Sequence, residues 1–371
     1  MRRNFAFLAI AAMSVLSSCK YDNEYPPSGE NYDNTTYNYD TDLSSFESVN
    51  AQALRLIEEM EKGHDGAELS ESVLLGIYKE KLAVGASLME LTSPASQDTV
   101  EFMIKRFASI SSLQQQGENG KPGLTSLPSG SSLLLDGNGM NYAKLVEKEL
   151  MGAVIYFNEF SEKGYLSSIR EEVNNNKLND STIARNEMSW DAAFGFTGTR
   201  KSEESSTYYI DPSYFWGNEW AKMNQVDGSN TLENIYGHFV RGRRSISYIN
   251  RDTLMMDIQG ISNNWELSIA RKVEENLSSA LDHSNQSGLR AHDLSAALGS
   301  IRMLPHNIES KMDSVDSRSI SGKLGENFYE TTDWQIQEIR KDIVFKYPEL
   351  EPYLLKPILE NVEEDQEASS R

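Results

Sequence analysis

Between Ser129 and Leu304 the chain contains a single proline, Pro212. Proline removes a backbone donor and clashes with the preceding helical turn, so a stretch this free of it can hold long, unbroken helices. The apolar residues use that freedom. Tyr142, Leu145, Val146, Val154 and Phe157 fall at 3–4 spacing on one face, as do Leu232, Ile235, Tyr236, Phe239, Val240, Ile246 and Ile249. Trp265, Ile269, Val273, Leu277 and Leu281 recur every four residues. These patterns are those of amphipathic helices that pack on one another, and alternating β-branched runs between hairpin turns are scarce. The sequence predicts an all-α fold of helical bundles from about Leu43.

Three stretches read as connections. Residues 114–139 are rich in Gly, Ser and Pro and read as a long loop; 163–180 and 198–211 are polar. Residues 208–217 form an aromatic cluster on a non-helical segment, expected to pin a loop to the core rather than to stack on a ligand. A faint internal repeat runs through the chain. Trp190-Asp191-Ala192-Ala193-Phe194-Gly195 aligns with Leu294-Ser295-Ala296-Ala297-Leu298-Gly299 at an offset of 104 residues. It fits two related halves, near 43–180 and 181–359. Trp190 and Phe194, four apart, are expected on one buried helical face.

The ends carry a different message. Arg2 and Arg3 precede a twelve-residue, nearly unbroken apolar run at 5–16, too short to span a bilayer and typical of a signal peptide. Leu16-Ser17-Ser18-Cys19 resembles a bacterial lipobox, and Cys19 is the only cysteine of the chain. Residues 1–18 are therefore expected to be removed and Cys19 acylated, which anchors the protein in a lipid bilayer. Lys20-Tyr21-Asp22-Asn23-Glu24 resembles acidic signals that send lipoproteins to the outer face of a Gram-negative outer membrane. Residues 19–42 read as a disordered tether, and 360–371 as a frayed acidic tail.

Composition excludes more than it assigns. Thirty-five Lys and Arg against 56 Asp and Glu give a formal charge of −21, which argues against nucleic acid as a partner. One cysteine forbids an intramolecular disulfide and a cysteine-based zinc site. Nucleotide-binding loops, G-x-S-x-G and H-E-x-x-H are absent from the sequence. His306 and Glu309 could share one helical face, and with Asp191 and His292 they are the only metal-ligand candidates. Arg241, Arg243 and Arg244 are expected to pair with neighbouring helices, or else to meet an anion.

Several segments together resemble a family of bacterial lipoproteins known as a domain of unknown function, itself similar to the imelysins. They are residues 49–60, 149–156, 187–196, 239–246 and 291–302; the most specific is Glu187-Met188-Ser189-Trp190-Asp191-Ala192-Ala193-Phe194-Gly195-Phe196. The resemblance implies imelysin-like helical bundles and an envelope protein associated with iron or haem uptake. It singles out Trp190, Asp191, Gly195, Arg243 and His292 as motif or ligand residues. Met188, Ser189, Ala192 and Ala296 stand where that pattern has histidines and glutamates, so neither a stoichiometric metal nor a catalytic residue is expected. The expected role is a binding module with iron or haem as ligand, working beside an outer-membrane transporter. Two alternatives remain: a metal-dependent peptidase of imelysin type, and a glycan-binding lipoprotein with the aromatics of 208–220 as its platform.

Overall fold

The computed structural model describes residues 36, 37, 39, 41–227 and 230–352. Residues 1–18, expected as a signal segment, Cys19, most of the expected tether and the tail 360–371 lie outside them.

The chain opens with helices α1 (Ser44–Glu61), α2 (Glu71–Lys79), the single turn α3 (Leu88–Leu91) and α4 (Gln97–Ser111). A hairpin, β1 (Gly123–Ser126) with β2 (Ser132–Leu135), precedes α5 (Tyr142–Glu149). Helix α5 continues through a π-helical stretch, Leu150–Tyr156, into α6 (Phe157–Phe160), and α7 (Tyr165–Asn174) and α8 (Ile183–Phe196) follow. A second hairpin, β3 (Thr199–Lys201) with β4 (Tyr208–Ile210), leads to α9 (Phe215–Asp227), α10 (Thr231–Ser247) and α11 (Arg251–Asp282). The described chain closes with α12 (Ser287–Met303), α13 (Ser314–Gly322) and α14 (Asp333–Lys346). The fold is all-α, with the two antiparallel hairpins as its only sheets among the described residues.

The hairpins correct the reading of two connections. Residues 114–139 contain β1–β2, registered with Gly123 opposite Leu135, and 198–211 contain β3–β4, with Thr199 opposite Ile210. Residues 163–180 are mostly helix α7, which buries Leu166, Ile169 and Val173 beneath its charged face.

Helix α11 is the axis of the molecule. Its 32 residues span about 48 Å, and Asn250 caps its first turn by accepting from the Thr253 amide. It packs between α10 and α12 and also meets α7 and α14. Trp265 on α11 is fully buried, and the rings of Tyr156, Phe160, Trp216 and Trp220 lie within 5.7 Å of it. Trp216 and Trp220 are 2 % and 0 % exposed and anchor α9 to the core; of the aromatics of 208–220, Tyr209 alone is exposed. Every residue of the π-helical stretch is buried, and Gly152 within it leaves room for Met303, whose Cγ would lie 2.5 Å from an added Cβ. The wider π turn resets which residues of the α5–α6 rod face inward.

The internal repeat has a spatial counterpart. Helix α8 packs on α1 and α12 packs on α5. Gly195 lets Phe46 of α1 approach to 2.7 Å of where a Cβ would stand, and Gly299 does the same for Lys148 of α5 at 2.5 Å. The polar residues aligned by the repeat also do one job: Asp191 accepts from Thr41, just before α1, and Ser295 accepts from the amide of Asn141, just before α5.

Candidate functional site

The motif residues Trp190, Asp191 and Gly195 sit on α8, where Glu187 and Asp191, four apart, point to the same side. Helix α10 crosses there. Gly242 on α10 has no side chain because the Trp190 ring occupies its place; an added Cβ would stand 2.1 Å from Cζ2 of the indole. Trp190 is fully buried and donates its Nε1–H to the Phe239 carbonyl at 2.9 Å. This contact sets the register that brings Arg243 onto the carboxylates.

Arg243 donates from Nε to Asp191 Oδ1 at 2.9 Å and pairs through Nη1 with Glu187 at 2.5 Å. Ser247, one turn on, donates to Glu187 at 2.6 Å. The segment before α1 completes the node. Tyr37 donates its hydroxyl to Asp191 Oδ1, and Thr41 donates to Oδ2. The Tyr37 ring stacks on Phe194 at 4.0 Å, and the Arg243 guanidinium lies 4.3 Å over the Tyr39 ring. The Tyr37 backbone accepts from the Tyr208 amide at 2.7 Å and donates to the Tyr236 hydroxyl at 2.9 Å. Tyr37, Tyr39 and Thr41, expected to belong to a free tether, are therefore fastened into the body.

Burial opposes the charge of Arg243, but Asp191, Tyr37 and Glu187 outweigh it and hold the pKa above the usual arginine range. Burial, then the Asp191 charge, raises the Tyr37 hydroxyl well above its usual range, so it stays a donor. Both Asp191 oxygens are occupied by protein donors. The node ties α8, α10 and the segment before α1 together. Tyr37, Thr41, Glu187 and Ser247 were not singled out from sequence. The i, i+4 pairs Glu187/Asp191 and Arg243/Ser247 were readable, but Tyr37 and Thr41 lie some 150 residues from their partner in a stretch without apolar period.

The other candidates go elsewhere. Arg241 pairs with Asp257 at 3.0 Å beside His238, and Arg244 lies over the Tyr248 ring at 5.4 Å. The three arginines thus share no anion-facing surface. His306 ends a 3₁₀ turn, Leu304–His306, against the Phe157 ring, while Glu309 pairs with Arg170 beyond it. They do not share a helical face, because Asn307 is extended.

His292 on α12 belongs to a second polar centre with Asn141 and His64. Asn141 caps α5 by accepting at Oδ1 from the Lys144 amide, so its Nδ2 is the atom that donates to His292 Nδ1, at 2.9 Å. The Leu134 amide donates to His64 Nδ1 at 2.9 Å. Both neutral rings consequently carry their proton on Nε2, the nitrogen a metal would otherwise use. Burial, then the Lys144 charge, lowers His64 to about 4 and His292 to about 3. Lys144 pairs with Glu147, which Lys148 also meets at 3.1 Å. Among the described residues no three His, Cys, Asp or Glu side chains are grouped to hold a metal ion. No helix among them is long and apolar enough to cross a membrane.

No curated protein and no solved structure matches the chain. A family model does, over residues 38–316, a span that opens beside Tyr37 and covers the α1–α8–α10 node and the His292 centre. The chain belongs to the family described as Domain of unknown function (DUF4856).

Proposed function

We propose that this protein is a non-catalytic binding module, anchored in a membrane of the bacterial envelope by acylated Cys19 and serving iron or haem uptake beside an outer-membrane transporter. The cargo rests on the likeness to imelysins in sequence. The observation that supports a non-catalytic role is the Asp191–Arg243 node. Its motif residues are committed to one another and to Tyr37 and Thr41. A motif committed in that way serves architecture: it joins the body to the segment that leads back to Cys19.

The test has two arms. Fractionation of cells carrying Cys19→Ala is expected to move the protein from the membrane pellet to the soluble envelope fraction; a variant that stays in the pellet refutes the anchor. Purified mature protein is then melted with haem, ferric iron and divalent ions, since a ligand of the native state raises the apparent melting temperature. A saturable shift with haem or ferric iron is the expected result. No shift with either refutes the cargo, and a shift with zinc accompanied by chelator-sensitive peptidase activity refutes the non-catalytic reading.

A further inference from the structure

Lined by none of the residues of the α8 node, a surface cavity of about 150 Å³ opens between α11 and the chain around the 3₁₀ turn Pro348–Leu350. It is lined by Asn263, Asn264, Glu266 and Leu267 of α11 and by Lys311, Tyr347 and Glu349. Glu266 is the unusual member. It is 5 % exposed, yet it is a carboxylate on the wall of a cavity. Its Oε1 is held by three donors: Ser310 Oγ at 2.9 Å, the Lys311 amide at 2.7 Å and the Tyr347 hydroxyl at 2.7 Å. That leaves Oε2 as the oxygen that addresses the cavity. The side-chain ammonium of Lys311 reaches across the Tyr347 ring to Glu349 at 3.0 Å.

The polar groups lining the cavity include both donors and acceptors. Asn264 gives its amide N–H to the Gly260 carbonyl at 2.8 Å, so its Oδ1 remains as an acceptor. Asn263 accepts at Oδ1 from Gln259 at 2.7 Å, so its Nδ2 remains as a donor. Glu266 Oε2 accepts and Lys311 Nζ donates. Such a lining suits a ligand whose groups both donate and accept, which is the property of hydroxyls. A space of about 150 Å³ accommodates a six-membered ring, and Leu267 gives its C–H face an apolar contact.

We infer that this cavity is a binding site for one ring of a polyhydroxylated ligand, a sugar, with Glu266 Oε2 and Asn264 accepting from its hydroxyls and Lys311 and Asn263 donating to them. The site goes beyond the uptake reading and does not depend on the identity of the cargo. Glu266 is fixed before the ligand arrives, so binding costs little reorganisation at the deepest contact.

The experiment is saturation-transfer NMR and calorimetry on the mature protein with the methyl glycosides of glucose, galactose, mannose and N-acetylglucosamine, and with putrescine as an amine probe. Saturable binding of at least one glycoside is expected, weakened about tenfold by Asn264→Leu and by Lys311→Met, the loss of one good hydrogen-bonding partner. Asn263→Ala, at an exposed position, carries the same test if Asn264→Leu loosens α11. The proposal is overturned if no glycoside saturates, if binding survives all three substitutions unchanged, or if putrescine alone binds and is lost in those variants. Haem binding with no glycoside binding overturns this site and leaves the uptake reading standing; the reverse result separates them the other way.

Discussion

Gly242→Ala puts a methyl group where the Trp190 indole already is, 2.1 Å from Cζ2 and 2.2 Å from Cη2. The ring has nowhere to move: it is fully buried, bonded to the Phe239 carbonyl and packed on the Phe239 ring with centroids 5.7 Å apart. Overpacking a core costs about 1–3 kcal/mol, and a contact this short belongs at the upper end. Alanine recovers about 1 kcal/mol over glycine as a helix former. The single variant is therefore expected to lose about 2 kcal/mol. Trp190→Ala alone is expected to lose about 3–5 kcal/mol through the cavity it leaves. In the double variant the indole that caused the clash is gone, and the alanine introduced in place of Gly242 keeps only its helix-forming gain. The double variant should then be slightly more stable than Trp190→Ala, and the coupling between the two sites should be about 3 kcal/mol. Equilibrium urea unfolding of the four proteins measures the cycle directly. Effects that add to within about 0.5 kcal/mol would show that α10 does not cross α8 on this ring.

Asp191→Ala strips three donors of their acceptor, with Glu187 still facing Arg243, and a loss of about 3–5 kcal/mol is expected by chemical denaturation; a loss near that of an exposed substitution such as Met256→Ala contradicts it. His64 is held at about 4 when folded against an ordinary 6.5, so its neutral form is favoured by the fold. Its contribution is complete above pH 6.5 and is lost as pH falls from 6.5 through 4, a change of about 3 kcal/mol. His292 and His306, lowered to about 3 and about 4, titrate in the same window, so His64→Gln should remove only its own share of the slope there, and an unchanged slope would show that His64 contributes none of it. For Cys19→Ala, loss of radiolabelled acyl chains together with release from the membrane is expected, and retained label would place the acyl chains on another residue.

What the sequence disclosed and what it hid follow from the range of the interactions involved. Helices α10 and α11 were legible because their buried residues, such as Ile235, Phe239 and Trp265, repeat within a turn or two. Helix α7 was readable in principle from Leu166, Ile169 and Val173, but the Glu and Asn residues around them masked the stripe. The hairpins escaped because strands of three or four residues are too short to show alternation. In the α8 node, Asp191 and Arg243 were marked by their motif, while Tyr37 and Thr41 were not. A tyrosine in a polar, proline-containing stretch looks like linker until the carboxylate it meets is known. The pairing of His292 with Asn141 has the same origin, since two separate elements supply it.

The account turns on the claim that Tyr37, Tyr39 and Thr41 are fastened to the helical body by Asp191 and Arg243. Hydrogen exchange of the mature protein, resolved by mass spectrometry over the peptides from Thr36 to Leu43, reads this without reference to any ligand. The Tyr37 and Leu43 amides, which donate to the Tyr236 and Tyr208 hydroxyls, should be protected in the native protein and lose that protection in Asp191→Ala while α11 keeps its own. Exchange at the free-peptide rate in the unmodified protein, or protection that Asp191→Ala leaves untouched, would contradict the account.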